Sequence, residues 1–245
     1  MNDSWNKNAH KRHGQLIAGK DITFSFLLAP TVIKLLRETQ PVSTPYVLEI
    51  GCGTGVLTEM IAKHVSRIEA IDPSVNSIAI AKTYNSQNTN AVFHCESIED
   101  FSAKTSTEFD MAVAHMVLHV IENIEVSLKC LAKLLKKSAI LLFTIPHPCF
   151  WAIVKSDFER AAYSYEKSSA HILPFTISCD HEPLEKVPYF HRPLAQYSEI
   201  LEKAGFAIQR LVEPFPDEQL MIKYNNSNSR TWEYPGFLIW VCKKL

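Results

Sequence analysis

Short apolar runs alternate with amphipathic segments from residue 46 to residue 145. Each run is bounded by polar or turn-forming residues, a pattern typical of strands buried in a parallel sheet. Between the runs, apolar residues recur three and four positions apart, which predicts helices. Alternating strands and helices predict a parallel sheet with helices on both faces. The predicted strands are residues 46–50, 67–71, 91–94, 109–114 and 138–145.

Helices are predicted around these strands. Pro30 is expected near the first turn of the first helix, or to divide it, and Ser74 is expected to cap the third helix. Residues 1–22 are polar and receive no predicted element. The predicted helices are residues 23–39, 56–65, the segment after Ser74, and 116–136.

The alternation of predicted strands and helices is interrupted between residues 147 and 191, which are rich in aromatic residues, proline and histidine. This segment reads as an insertion with a helix near 155–167 and a strand pair at 172–178 and 186–190. The core pattern then resumes with a helix ended by Gly205, a residue suited to a helix C-terminus. That helix spans 193–204, and the last two predicted strands span 206–213 and 237–242.

The composition excludes several classes of protein. Hydrophobic residues make up 47% and charged residues 21%, which argues against a disordered chain. Lysine and arginine number 25 against 26 acidic residues, which argues against nucleic-acid binding as the main activity. No apolar run approaches the roughly 18–20 residues of a membrane span, and residues 1–15 lack the apolar stretch expected of a secretory signal. The six single, widely spaced cysteines predict a reduced, cytoplasmic protein.

Three of the seven glycines lie within five residues, at Gly51, Gly53 and Gly55. They follow a predicted strand and precede a predicted helix, a context that binds the polar part of a nucleotide-like ligand. Asp72 lies 21 positions after Gly51, at the end of the next strand, where a carboxylate accepts hydrogen bonds from ribose hydroxyls. The alternative is a glycine turn needed only for packing, with Asp72 as a helix cap. The spacing differs from the GxGxxG of enzymes that use NAD.

The motifs as a set resemble those of class I S-adenosylmethionine-dependent methyltransferases. The resemblance rests on VLEIGCGTGVLT, IEAIDPS, HCESIED, FDMAVAHMVLHVIEN and SAILLFTIPHP, which begin at residues 47, 68, 94, 109 and 138. It implies an α/β fold with a Rossmann-like seven-stranded, mostly parallel sheet, helices on both faces and an inserted lid after strand five. It also implies S-adenosylmethionine as cofactor and S-adenosylhomocysteine as product.

The resemblance assigns roles residue by residue. Glu49 would orient the glycine loop and, through water, the amino group of the cofactor. Asp72 would bind the ribose hydroxyls, and residues 96–98 would contact the adenine edge. The full implied cofactor set is Glu49, Gly51, Cys52, Gly53, Gly55, Asp72, Pro73, Ser74, Glu96, Ser97, Ile98, Ala114, His115 and Met116.

Three histidines are candidates for removing a proton from the methyl acceptor, since histidine titrates near neutral pH. His147 follows strand five, His115 ends strand four, and His191 precedes a helix. Each has a structural alternative: a loop anchor for His147, a pocket wall for His115, and a lock between insertion and core for His191 with Arg192. His115 and His119 have metal-ligand spacing, but the sequence places no third ligand near them, so no metal is predicted.

The insertion is expected to close over the substrate as an aromatic lid that excludes water. The N-terminal segment, with Trp5 and its basic residues, is a candidate for a second flap over the site. The chain would then divide into an N-terminal segment and helix that cap the site (1–40), a cofactor-binding core (41–148), an inserted lid (149–191) and a C-terminal part of the core (192–245). The alternative for the insertion is an apolar cluster under a long loop, and the alternative for the N-terminal segment is a solvated terminus.

The leading functional hypothesis is methyl transfer by in-line displacement to O, N or C of a small organic substrate. Methylation of RNA, tRNA or protein is the second, a cofactor-binding module without turnover the third, and an NAD oxidoreductase the fourth. The identity of the acceptor and the oligomeric state stay open.

Overall fold

A seven-stranded sheet forms the centre of the molecule. The computed structural model describes residues 2–154, 164–177, 180–218, 220–221 and 233–245. The strands of the sheet are β1 (Tyr46–Ile50), β2 (Arg67–Ile71), β3 (Ala91–His94), β4 (Phe109–His115), β5 (Leu135–Pro146), β8 (Phe206–Val212) and β9 (Phe237–Lys244). Their order is β3-β2-β1-β4-β5-β9-β8. The first five strands run parallel, and β9 runs antiparallel to both of its neighbours. The predicted Rossmann-like, mostly parallel sheet is therefore confirmed.

Helices cover both faces of this sheet. The described helices are α1 (Asn2–Ile17), α2 (Ala29–Thr39), α3 (Val56–Ala62), α4 (Val75–Tyr84), α5 (Ile98–Lys104), α6 (Ile124–Leu134), α7 (Trp151–Val154) and α8 (Leu194–Lys203), with a π-helical segment (Thr23–Leu28) before α2. Neighbouring side chains on a strand point to opposite faces, so Leu48 packs in the core under α5, α6 and α8. Val47 packs in the core under α2 and α3.

Helices α1 and α6 differ from the sequence prediction, and α5 lies where no helix was predicted. The polar segment that received no element is helical over Asn2–Ile17. The helix predicted over 116–136 is limited to Ile124–Leu134, capped by the Asn123 side chain. The preceding turns are held by Arg192, whose Nη2 donates to the carbonyl oxygens of Ile121 and Glu122, each at 2.7 Å. Those carbonyls are thereby withdrawn from a helical ladder.

The insertion contains a β-hairpin of β6 (Ser169–Ile177) and β7 (Asp180–His191). This confirms the predicted strand pair, with longer strands. The helix predicted near 155–167 falls largely on residues 155–163, which lie outside the described residues, and residues 164–167 are not helical. None of the helices in the described ranges is long and apolar enough to cross a membrane.

Candidate active site

The candidate site lies at the carboxyl ends of β1 and β4, in the middle of the sheet. Successive strands are added on one side of β1 as far as β3, and β4 returns to its other side. The crevice at such a reversal is where open parallel sheets bind ligands. The glycine loop follows β1 directly, and His115 ends β4.

Packing accounts for two of the three clustered glycines. Gly51 has a φ of +65°, and a Cβ atom there would lie 2.3 Å from Val117 Cγ2. Gly55 has a φ of +78°, and a Cβ atom there would lie 2.6 Å from Asn85 Nδ2. Gly53 also has a positive φ, +54°, yet nothing lies within 4 Å of its Cβ position. Gly53 therefore leaves open space at the backbone, as a close-lying ligand requires.

Asp72 ties the open part of the glycine loop to the end of β2. Its Oδ2 accepts a hydrogen bond from the Gly53 N–H at 2.9 Å, and its Oδ1 accepts one from the Ser74 N–H at 2.8 Å. Burial raises the pKa of Asp72, and the two N–H donors act in the opposite direction. An ionised carboxylate has about four lone-pair positions, so two further donors, such as the hydroxyls of a ribose, can be accommodated.

Glu49 lies beneath the loop, with 2% of its surface exposed. The Thr58 hydroxyl donates to its Oε2 at 2.6 Å. Burial raises the pKa of Glu49 to about 8, and the neighbouring Asp72 adds to this. Burial also raises the pKa of the Cys52 thiol, so the floor of the crevice carries little charge near neutral pH.

The residues implied at the adenine end mainly begin helices. The Ser74 side chain caps α4, and the Ser97 side chain caps α5. Glu96 Oε1 pairs with Lys104 Nζ at 3.0 Å. Ile98 is buried and Pro73 is exposed. These positions lie at the ends of β2 and β3, on the same edge as Asp72.

Of the three candidate histidines, His115 keeps a ring nitrogen without a partner. Its Nδ1 is buried and accepts or donates no hydrogen bond among the described residues. Burial lowers the pKa of His115 to about 4, so the ring is neutral at physiological pH. Met116, next in the chain, takes a φ of +57°, and its N–H donates to the Thr144 carbonyl at 2.9 Å. Ala114 is fully buried.

His147 is held at both ring nitrogens. The Cys149 N–H donates to Nδ1 at 3.2 Å, so Nε2 carries the proton that faces Glu213 Oε1 at 2.9 Å. The ring also packs on Phe150, with centroids 4.7 Å apart. These contacts match the loop-anchor alternative for His147.

His191 and Arg192 join the insertion to the core. His191 Nε2 donates to the Tyr165 carbonyl at 2.9 Å, and the Arg192 guanidinium holds the turns before α6. This arrangement matches the alternative of a structural lock. A catalytic role for His191, like one for His147, stays a prediction.

Helix α1, where the sequence analysis predicted no helix, contacts the glycine loop. His13 Nδ1 lies 3.1 Å from Thr54 Oγ1 in the glycine loop, and the Ser74 hydroxyl donates to Asn6 Oδ1 at 2.8 Å. On the other side, Asn8 pairs with the backbone of Glu185 in β7, through contacts of 3.1 and 2.8 Å. The helix therefore bridges the cofactor side of the crevice and the hairpin. Asparagines in a polar helix carry no sequence signal for such contacts.

Arg12 projects from the same helix toward the hairpin. Its Nη2 pairs with Asp21 Oδ2 at 2.6 Å, and its guanidinium carbon lies 5.1 Å from the ring centroid of Phe175 in β6. Its Nη1 is buried without a hydrogen-bond partner in the described parts of the chain. Within those same parts, no group of three or more His, Cys, Asp or Glu residues is arranged to hold a metal.

A family model described as a methyltransferase domain matches residues 24–211. The chain belongs to the methyltransferase domain family. The matched range includes the glycine loop, Asp72, all three candidate histidines and the hairpin, whereas α1 precedes it.

Individual relatives agree with this assignment. The chain is 33% identical over 138 residues to a malonyl-[acyl-carrier protein] O-methyltransferase from Bacillus cereus; the match covers 55% of this chain and 50% of the relative. A protein from Listeria monocytogenes described as an S-adenosylmethionine-dependent methyltransferase superimposes with a TM-score of 0.67 at 21% identity, over 89% of this chain and 98% of that one.

A structure solved with the expected product has the same fold. The N-methyltransferase NodS from Bradyrhizobium japonicum, in complex with S-adenosylhomocysteine, superimposes with a TM-score of 0.59 at 16% identity over 97% of this chain and 98% of that one. The fold of this methyltransferase domain is thus that of class I S-adenosylmethionine-dependent enzymes, as the sequence predicts.

Proposed function

We propose that the protein transfers a methyl group from S-adenosylmethionine to a small organic acceptor. The observation that carries the proposal is the open backbone at Gly53 beside the Asp72 carboxylate, at the reversal point of a methyltransferase fold. The family match supports the reaction class, and the name of the Bacillus cereus relative supports oxygen as the accepting atom. The single, spread cysteines support a cytoplasmic location.

The residues present fit the cofactor. The cofactor, when bound, supplies a methyl group already activated by a positively charged sulfur. The Asp72 carboxylate accepts hydrogen bonds from the ribose hydroxyls, and Gly53 lets the nucleoside approach the backbone. Glu49 fixes the loop from below through Thr58. The remaining residues of the proposed cofactor set are Gly51, Cys52, Gly55, Pro73, Ser74, Glu96, Ser97, Ile98, Ala114, His115 and Met116.

His115 is the histidine that we place against the acceptor. It lies at the end of β4, and its Nδ1 is unsatisfied among the described residues. A general base works best with a pKa near the operating pH, and the pKa of His115 is about 4. We therefore assign His115 the task of orienting the acceptor through a hydrogen bond, with proton removal as a lesser contribution.

Ligand binding tests the proposal directly. Thermal unfolding is measured with S-adenosylmethionine, S-adenosylhomocysteine, NAD and NADP in turn. A ligand at 100 times its dissociation constant raises the free energy of unfolding by about 2.7 kcal/mol. We expect stabilisation by the first two ligands. Stabilisation by NAD without stabilisation by S-adenosylhomocysteine would refute the proposal.

Asp72→Ala tests the ribose contact. We expect its dissociation constant for S-adenosylhomocysteine to rise at least tenfold, about 1.4 kcal/mol, in calorimetry. Glu59→Gln is the control, since Glu59 pairs with Lys63 on α3 at 2.6 Å, away from the crevice. Equal affinity of both variants would remove Asp72 from the site.

A further inference from the structure

One terminal nitrogen of the Arg12 guanidinium group is paired, and the other, Nη1, marks an edge of the group that has no hydrogen-bond partner among the described residues. Nη2 binds Asp21 Oδ2 at 2.6 Å, and the guanidinium plane lies near Phe175. Nη1 is shielded from solvent and has no hydrogen-bond partner in the described ranges. A buried donor that lacks an acceptor is costly, so this edge has the character of a site that a ligand completes.

The chemistry of that ligand follows from the guanidinium. Its N–H groups form a rigid fork that matches the two oxygens of a carboxylate. Asp21 occupies one part of the fork and is itself fixed, because its Oδ1 accepts the Phe24 N–H at 3.0 Å. A second carboxylate on the free edge would supply the acceptor that Nη1 lacks.

The position of Arg12 is the acceptor end of the crevice. Phe24, whose backbone N–H binds Asp21, has its ring centroid 5.7 Å from that of His115. The charges of Arg12 and Asp21 both reach His115, lowering and raising its pKa respectively. Phe175, on the other side of Arg12, belongs to the inserted hairpin, and Trp5 packs edge-on against it at 5.8 Å. An apolar wall therefore adjoins the cation.

We infer that the free edge of Arg12 binds a carboxylate at this end of the crevice, and that the methyl acceptor is a small carboxylic acid whose apolar part packs near Phe175. This inference rests on the proposed methyltransferase function. The cofactor is a second source of a carboxylate for Arg12, since its amino-acid part also carries one. The apolar wall favours the acceptor, and the experiment distinguishes the two.

The test compares Arg12→Gln with Lys7→Gln. Lys7 lies on the same helix, and its ammonium pairs with Asp3 at the surface, at 2.8 Å, so its variant matches the loss of charge. Calorimetry gives the affinities for S-adenosylhomocysteine and for 5′-methylthioadenosine, which has the same adenine and ribose but no carboxylate. Methyl transfer is then measured on benzoate, phenylacetate, cinnamate and octanoate, each beside its primary amide. Thermal unfolding tests whether each variant is folded. If Arg12→Gln does not fold, Arg12→Lys replaces it, because lysine keeps the positive charge but lacks the guanidinium fork.

We expect the wild type to methylate at least one acid in preference to its amide. In Arg12→Gln the KM for that acid should rise at least tenfold, while both nucleoside affinities stay within twofold of those of Lys7→Gln. A tenfold loss of S-adenosylhomocysteine affinity with unchanged 5′-methylthioadenosine affinity assigns the carboxylate to the cofactor instead.

Two results together overturn the inference. The ratio of the two nucleoside affinities is the same in Arg12→Gln as in Lys7→Gln, and the KM for the acids does not change in Arg12→Gln. A wild type that methylates none of the acids counts as the second result. A wild-type protein that fails to bind S-adenosylhomocysteine refutes the proposed function itself. The two failures are therefore distinct.

Discussion

At the scale of single residues, Gly51 and Gly53 share a left-handed backbone but differ in what surrounds them. A Cβ at Gly51 would collide with Val117, whereas the Cβ position at Gly53 is open. Both Gly→Ala variants pay for the positive φ, but only Gly51→Ala adds overpacking of about 1–3 kcal/mol. We expect urea unfolding to show Gly51→Ala as the less stable variant by that amount. Equal stabilities would show that the loop moves away from Val117 without cost.

The glycine pair also separates packing from binding. Because the open side of Gly53 faces the proposed cofactor space, Gly53→Ala should weaken S-adenosylhomocysteine binding more than it lowers stability. Calorimetry on the folded variant measures this. Undiminished affinity in Gly53→Ala would place the nucleoside elsewhere.

Glu49 predicts how stability depends on pH. Its pKa in the folded protein, about 8, lies above its ordinary value of 4.5, so the folded state retains a proton that the unfolded chain releases. The stabilisation is complete below pH 4.5 and is lost as pH rises through about 8. Glu49→Gln cannot ionise. Relative to wild type, its free energy of unfolding should therefore rise between pH 5 and 9 by more than about 1.4 kcal/mol, the value of one pKa unit.

Denaturant unfolding over that pH range measures the difference. Glu59→Gln serves as the comparison, since Glu59 pairs at the surface of α3 and its variant should follow wild type. A constant offset between Glu49→Gln and wild type across the range would contradict the expected proton uptake.

At the scale of elements, Asn8 joins α1 to the hairpin through two hydrogen bonds with the backbone of Glu185. Asn8 is buried, with 2% of its surface exposed, so Asn8→Ala leaves two backbone groups of Glu185 without their partner. Loss of a buried partner costs about 1–3 kcal/mol. We expect faster hydrogen exchange in α1 with little change in β1 and β4. Lys7→Ala is the control, and equal exchange in both variants would mean that Asn8 does not hold the cap.

The elements that the sequence predicted correctly are those whose apolar periodicity records burial. The limits of β1, β2 and β3 agree with the apolar runs, because burial is nearly continuous along β1 and β2 and Phe93 is buried in β3. Helix α1 has no such record, since asparagine and histidine hydrogen bonds hold it in place. The helix predicted from 116 was too long because the Arg192 side chain, 70 positions away, binds the carbonyl of Glu122.

The site shows the same division. The glycine loop and Asp72 were predictable, because local geometry requires glycine and the strand end fixes the acid. The partners of the histidines were not, since they are remote in sequence: Glu213 for His147, and the Tyr165 carbonyl for His191. Arg12 was seen only as part of a basic segment. Its unpaired edge is a property of the folded molecule.

At the scale of the whole molecule, the last strand completes the core. Trp240 on β9 is 1% exposed and stacks on Phe143 of β5, with centroids 5.4 Å apart and planes 9° apart. Removing a buried Trp side chain costs about 3–5 kcal/mol, and we expect Trp240→Ala to lose that much in urea unfolding. Its Nε1 has no partner among the described residues, so Trp240→Phe breaks no hydrogen bond with them and should lose clearly less stability. Equal losses would mean that ring stacking contributes little.

The contact between Asn8 and Glu185 spans 177 positions of sequence. Helix α1 is therefore synthesised well before the hairpin against which it rests. A contact of such high sequence separation requires the intervening chain to close into a large loop, which slows its formation. The placing of α1 beside the hairpin is thus set by long-range folding and not by local helix formation.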